Sequence, residues 1–137
     1  MTSALHVAAQ KGHARITRML LQHGADCNME DHCGQTPLML AVIAGHEDIA
    51  GLLLAGHARV DVVDHQRRSA LHWAVVYKRE AILNTLISQC AGKSDVLNAR
   101  DRSNETLLHI AINSNFEPGV KMLLESGASI ILETANQ

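Results

Sequence analysis

The sequence predicts an all-α repeat solenoid, in which short helix–turn–helix units stack on copies of themselves, and two observations lead to this prediction. Leu5, Leu38 and Leu71 lie 33 residues apart in near-copies of one motif, and Leu108 continues the series after a step of 37 residues. Ala, Leu, Ile and Val dominate the apolar residues, whereas Trp, Tyr and Phe occur once each. A fixed period of this length indicates one supersecondary unit whose apolar face is buried by its neighbours.

Each copy is predicted to hold two helices followed by an extended finger. In the first copy, Ser3 can cap a helix that runs to about Lys11, and Gly12 ends it in a left-handed conformation. A second helix is predicted from about Ala14 to Gln22. Its apolar residues recur at helical spacing and are Ile16, Met19, Leu20 and Leu21.

The later copies repeat this order. Their outer helices are predicted from Glu47 to Ala55, from Arg79 to about Gln89, and from a first turn that holds Pro118. The predicted repeats span residues 2–34, 35–67, 68–104 and 105–131, and residues 132–137 form a tail that begins a further repeat or a linker. Because the fourth copy keeps an outer face that is little more polar than the others, we expect the chain to be a segment of a longer protein.

Four extra residues lie in the third copy, around residues 88–97. Val96 and Leu97 can fold back on the outer helices, which would make this segment an ordered loop. A mobile bulge is the alternative.

Composition and charge exclude several classes of function. The formal net charge is −2 and the pI is near 6.5, whereas nucleic-acid-binding domains are typically basic. The sequence has no apolar run of the roughly 18 residues that a membrane span needs, and no signal-peptide pattern. Three cysteines are too few for a disulfide framework, so an intracellular location, cytoplasmic or nuclear, is expected.

The repeated motifs resemble the ankyrin-repeat family from Ser3 to about Ser129. They include Ser-Ala-Leu-His-Val-Ala-Ala with Gly-His in the first copy, and Leu-Leu-Gln-His-Gly-Ala-Asp-Cys-Asn after it. The resemblance implies a stack of helix pairs with short β-hairpin fingers projecting at roughly right angles. It also implies a concave groove, formed by fingers and inner helices, that binds a protein partner without a cofactor.

The third copy departs from this pattern. Gly34 supplies a flexible turn residue before the second copy, but Arg67 and Asn104 stand at the equivalent places. The finger entering the third copy is therefore expected to be strained or to adopt another turn type. Lys78 and Arg79 also replace the Gly-His pair that ends the inner helix in the first two copies.

The nine histidines do not predict a metal or catalytic site. His6, His72 and His109 belong to the repeated motif, where the ring is expected to bridge backbone groups of neighbouring turns. His23, Cys27, His32 and Cys33 are zinc-ligand types, but their spacing matches no zinc motif. We therefore predict no metal, no cofactor and no catalytic residue.

One asparagine resembles a modification site. Asn28, with Leu20 and Asp26, is similar to ankyrin asparagines that an oxygen-dependent hydroxylase modifies. The favoured alternative is that Asn28 only stabilises its finger turn.

The register of the resemblance places a candidate partner-binding surface on the inner helices and fingers. Its centre is Ile43, Ala44, Val76 and Tyr77, where the first and fourth copies have polar residues. An exposed apolar centre with a polar rim is typical of a protein-binding hot spot. The rim residues are His65, Gln66, Arg68, Arg100, Arg102 and Glu105. The alternative is that Ile43, Val76 and Tyr77 pack against one another and the insertion.

The sequence therefore predicts a monomeric, non-catalytic module that binds another protein or peptide. It would belong to a larger regulatory or signalling protein, for which a transcription regulator is one example. The alternative is the targeting arm of a multidomain enzyme such as a kinase, an acyltransferase or a ubiquitin ligase.

Overall fold

The computed structural model describes residues 2–90 and 93–129, and the helices are paired in these ranges as the sequence predicts. The inner helices are α1 (Ala4–Lys11), α3 (Pro37–Ala44), α5 (Ala70–Val76) and α8 (Leu107–Asn113). The outer helices are α2 (Ala14–Gln22), α4 (Glu47–Ala55), α6 (Glu80–Gln89) and α9 (Glu117–Glu125). A short helix, α7 (Ser94–Leu97), lies in the insertion.

The helices form two layers around one continuous core. Each inner helix contacts the next inner helix, each outer helix contacts the next outer helix, and the two helices of a pair contact each other. The motif leucines Leu5, Leu38, Leu71 and Leu108 are all buried. The 33-residue period thus places one leucine of each repeat at the same depth of the core.

Every inner helix begins with the same cap. The hydroxyls of Ser3, Thr36, Ser69 and Thr106 each accept a hydrogen bond from the main-chain N–H three residues later. This bond satisfies a donor that the first helical turn leaves without a partner. The recurrent Ser or Thr therefore sets where each repeat starts its first helix.

Left-handed residues join the inner and outer helices. Gly12 and Gly45 have φ of 81° and 83°, and Lys78 adopts the same region at 56°. A Cβ on Gly12 would stand 2.7 Å from the imidazole of His46, and a Cβ on Gly45 would stand 2.9 Å from the guanidinium of Arg79. In both turns, a side chain of the next repeat therefore lies directly over the glycine. Lys78, which stands where the first two repeats have glycine, keeps the left-handed conformation of the turn.

The finger before the third inner helix has the same turn as its neighbours. Arg67 has φ 59°, close to the 77° of Gly34 and the 64° of Asn104. Of the two alternatives, the strained conformation is therefore the one found, because Arg67 carries a Cβ in a region that favours glycine.

The predicted hairpins are tight turns, and no β-strand occurs in residues 2–90 and 93–129. In the first finger, Asp31 N donates to Gln35 O at 2.9 Å and Gly34 N donates to Asp31 O at 3.0 Å. Neighbouring fingers are joined by single main-chain bonds, such as His65 N to Cys33 O at 3.1 Å. One bond per junction is too few for a strand ladder, so the fingers project as linked turns.

The insertion is ordered where the structure describes it. Leu97 is buried and Val96 packs partly buried against the core, as the first alternative predicted. Residues 91 and 92, and the predicted tail at 132–137, lie outside the described residues. The repeat boundaries themselves stay a prediction.

The first outer helix buries only part of the apolar face that the sequence predicts. Ile16 and Met19 are exposed, whereas Thr17 is buried and its hydroxyl donates to His13 O. Leu20 and Leu21 of the same helix are partly buried against the core. None of the helices described combines the length and apolarity that crossing a membrane requires.

We predict that Arg67→Gly raises the free energy of unfolding by about 0.5–1 kcal/mol, because glycine adopts positive φ without a steric cost. Denaturation in urea measures the change. The matched control is Gly34→Ala, which should lower the free energy of unfolding by about 1 kcal/mol or more, since its Cβ would stand 3.1 Å from the main-chain nitrogen of His65. Destabilisation by Arg67→Gly would show that its side chain makes a contact worth more than the strain.

Candidate functional site

The predicted apolar centre lies at the ends of two neighbouring inner helices. Ile43 and Ala44 end α3, and Val76 ends α5 with Tyr77 as its C-cap. Ile43 and Val76 are half-buried and pack against the core, while Ala44 is exposed and Tyr77 is 46% exposed. Two of the four residues therefore pack inward and two face solvent, and their role in partner binding stays a prediction.

The ring of Tyr77 is held from two sides. It stacks on Trp73, one helical turn earlier, with ring centroids 6.1 Å apart and an angle of 28° between the planes. The guanidinium of Arg79 lies 5.7 Å from the Tyr77 ring centroid, within the range of a cation–π interaction. These contacts restrict the side chain although nearly half of it is exposed.

Arg79 is itself fixed by the preceding repeat. Its Nη2 donates to Ile43 O at 2.7 Å and its Nε donates to Val42 O at 3.2 Å. His46 occupies the equivalent place one repeat earlier, where its Nε2 lies 3.2 Å from Gln10 O. The change from His to Arg preserves the contact with the end of the preceding inner helix and adds a cation beside Tyr77.

Trp73 connects this centre to the fingers. Its indole Nε1 donates to Asp64 Oδ2 at 2.9 Å, and the guanidinium of Arg68 lies 4.9 Å from the Trp73 ring centroid. Arg68 Nε also donates to Asp101 Oδ2 at 3.1 Å, and the Asp101 side chain is only 1% exposed. Arg68 is therefore a structural residue as well as a candidate rim residue, because its charge compensates a buried carboxylate.

Asp64 and Asp101 hold the second and third finger turns. Asp64 Oδ1 accepts the main-chain N–H groups of Gln66 and Arg68 at 2.9 and 3.0 Å. Asp101 Oδ1 accepts the equivalent pair in its own turn, both at 2.9 Å. Among the described residues, no buried side-chain oxygen or nitrogen lacks a hydrogen-bond partner.

Sequence reasoning did not select Trp73, Asp64 or Asp101, although one signal was present. Asp31, Asp64 and Asp101 repeat with the steps of 33 and 37 residues that the motif leucines show. A polar residue that follows the period of the core indicates a structural bond made in every repeat.

Of the other predicted rim residues, three are exposed to solvent and two make hydrogen bonds within the domain. His65, Gln66 and Arg102 are exposed at the finger tips. Arg100 is half-buried and its Nη1 donates to Asn104 O, and Glu105 accepts a hydrogen bond from Asn113. Arg100 and Glu105 thus make hydrogen bonds within the domain.

His6 and His72 bridge turns as predicted, whereas His109 makes only local contacts with Thr106 among the described residues. His6 Nδ1 accepts from Ser3 N at 3.2 Å, which leaves the proton on Nε2 for a 2.8 Å bond to Gln35 O of the next repeat. His72 makes the same local contacts with Ser69, and its Nε2 lies 3.2 Å from Ala99 O. Burial lowers the pKa of His72, which favours the neutral ring.

Asn28 joins two repeats. Its side-chain oxygen accepts the main-chain N–H of Arg59 at 2.8 Å, and Asn98 accepts that of Ser129 in the same way at 2.9 Å. This role is structural, but it joins two repeats and goes beyond the finger turn of Asn28 itself, and hydroxylation stays a prediction.

Comparison with known proteins matches the chain over nearly its whole length. A family profile described as ankyrin repeats in three copies matches residues 5–99 and again residues 52–134. B-cell lymphoma 3 protein of Homo sapiens is 31% identical over 130 residues, which cover 92% of this chain and 29% of that protein.

Two other relatives match shorter segments. An E3 ubiquitin-protein ligase of Arabidopsis thaliana is 54% identical over 41 residues, or 30% of this chain and 8% of the ligase. Protein phosphatase 1 regulatory subunit 12A of Mus musculus is 49% identical over 39 residues, or 28% of this chain and 4% of the subunit. The chain thus spans less than a third of the length of each of these relatives.

We predict that Arg68→Ala lowers the free energy of unfolding by about 2 kcal/mol, because it removes the cation that compensates the buried Asp101 carboxylate. The matched variant is Arg68→Gln, since Gln35 at the equivalent position donates to Asp64 Oδ2. It should retain a donor and lose only about 1 kcal/mol. Urea denaturation distinguishes the two, and equal losses would show that the ion pair contributes nothing specific.

We predict that His72 makes stability fall in mild acid. Because the pKa of His72 is lowered in the folded protein, the unfolded chain binds the proton more readily, and stability declines as the pH drops below 6.5. His72→Met is the matched variant, since Met39 is buried at the same place in the second repeat. The loss of stability between about pH 7.5 and about pH 5.5 should be smaller in His72→Met than in wild type, as thermal unfolding would show. Equal losses would assign the effect to other groups.

Proposed function

This chain belongs to the ankyrin-repeat family, and we propose that it binds another protein or a peptide through the face formed by its inner helices and fingers. The apolar centre of that face is Ile43, Ala44, Val76 and Tyr77. Ankyrin repeats indicate a protein-interaction module. The proposal goes further, because it assigns partner binding to this particular surface.

The observation that carries the proposal is the exposed but fixed ring of Tyr77. An aromatic side chain supplies a large contact area, and it loses little conformational entropy on binding when its ring is already held. Trp73 and Arg79 hold it here, at 6.1 Å and 5.7 Å between the interacting groups. Such a residue at the centre of a binding face is the usual form of a hot spot.

The finger tips would form the rim. His65, Gln66 and Arg102 are exposed there, and Arg67 beside them is exposed as well. These residues would contact polar groups of the partner and exclude water from the centre. Arg68, Arg100 and Glu105 would act by holding the shape of the fingers, since each makes a bond inside the domain.

The mechanism that we propose is rigid display. Main-chain bonds join neighbouring fingers, at 3.1 Å from His65 N to Cys33 O and 2.9 Å from Arg102 N to Gln66 O. The spacing of the tips is therefore set before a partner arrives, and little ordering entropy opposes binding. We propose no catalytic role for this domain, which would act as a monomer inside the cell.

The relatives support two proposals about the larger protein to which this domain would belong. A regulatory or signalling protein is supported by the phosphatase regulatory subunit. A transcription regulator would be one example of such a regulatory protein. The second candidate, the targeting arm of a multidomain enzyme, is supported by the ubiquitin ligase relative. The full-length sequence separates them, because a catalytic domain beside these repeats would favour the second.

We predict that Tyr77→Ala weakens partner binding at least about tenfold, which corresponds to about 1.4 kcal/mol, while the melting temperature changes little. Proteins captured from the source cell by wild type are identified, and the affinity of the purified partner is then measured by calorimetry. The matched control is Met19→Ala, because Met19 is 58% exposed on outer helix α2. Equal affinities for wild type and both variants would place the binding surface elsewhere.

A further inference from the structure

The tip of the first finger brings three metal-ligand side chains together. Asp31, His32 and Cys33 each offer one ligand atom, and these atoms all lie within 4.8 Å of one another. Asp31 is half-buried, and His32 and Cys33 are exposed to solvent. The sequence pattern had grouped His32 and Cys33 with Cys27, but the fold buries Cys27, whose thiol donates to Gly56 O.

The turn that carries these side chains is held before any ligand binds. Asp31 Oδ1 accepts the main-chain N–H groups of Cys33 and Gln35, both at 2.9 Å. The next finger adds the bond from His65 N to Cys33 O. The second carboxylate oxygen, Asp31 Oδ2, has no hydrogen-bond partner in the described part of the chain and stays available to a cation.

The equivalent tips cannot offer the same ligands. Asp64 is followed by His65 and Gln66, and its Oδ2 is occupied by Trp73. Asp101 is followed by Arg102 and Ser103, and its Oδ2 is occupied by Arg68. A thiol, an imidazole and a carboxylate therefore meet at the first tip and at neither of the others.

We propose that Asp31, His32 and Cys33 bind one divalent zinc-type ion. Thiolate, imidazole and carboxylate are the ligands that Zn²⁺ takes in a tetrahedral site, and a water molecule would fill the fourth position. On binding, the Cys33 thiol releases its proton to solvent and a metal–sulfur bond forms. The other two thiols are poor competitors, because burial raises the pKa of Cys27 and of Cys90.

Cobalt titration of the reduced full chain tests the site. We expect one equivalent of Co²⁺ to produce thiolate-to-cobalt charge-transfer absorption together with the visible bands of tetrahedral cobalt, and Zn²⁺ to abolish both by displacement. Cys33→Ser should remove the charge-transfer absorption. His32→Ala should weaken Co²⁺ binding at least about tenfold.

The matched control is His23→Ala, because His23 is exposed in the same repeat but lies outside the tip. Its affinity for Co²⁺ should equal that of wild type, and circular dichroism should show every variant as helical as wild type. Charge-transfer absorption that persists in Cys33→Ser would overturn the proposal, since another thiol would then be the ligand. Octahedral cobalt bands, or binding that does not saturate at one equivalent, would overturn it equally.

Discussion

The fold of the fingers depends on the hydrogen bonds that an aspartate carboxylate accepts in each finger turn, where Asp64 and Asp101 are buried and Asp31 is half-buried. A carboxylate removed from water is costly unless charged or hydrogen-bonding groups surround it. Asp64 and Asp101 meet this condition, because each accepts two main-chain N–H groups with one oxygen and a side-chain donor, Trp73 or Arg68 respectively, with the other. The turn, the next inner helix and the neighbouring repeat are thereby joined at one residue.

This connection also places the candidate binding surface. Arg68 reaches forward to Asp101, Trp73 reaches back to Asp64, and Tyr77 stacks on Trp73. Arg79 closes the series by bonding the end of the preceding inner helix and lying over Tyr77. The third repeat, which departs most from the family pattern, therefore carries the most cross-connected side chains around the exposed ring.

The helices were predictable because their signals are local. The first helix runs from Ala4 to Lys11 and the second from Ala14 to Gln22, as the cap at Ser3 and the left-handed turn at Gly12 indicate. The side of a helix that is covered was less predictable. Spacing alone grouped Ile16 with Leu20 and Leu21, yet only the two leucines pack against the core and Ile16 is exposed.

By itself the sequence determined the repeat, the helix pairs and the positions of Tyr77 and the finger residues within each copy, because a period and its caps depend only on chain spacing. Only the tertiary structure decided what those residues do. The Arg68 side chain bonds the buried Asp101, where the sequence suggested a rim cation, and Asp31 lies together with His32 and Cys33 at one finger tip. The physical reason is that an ion pair or a ligand set forms between neighbouring turns and repeats, and its geometry appears only when the repeats stack.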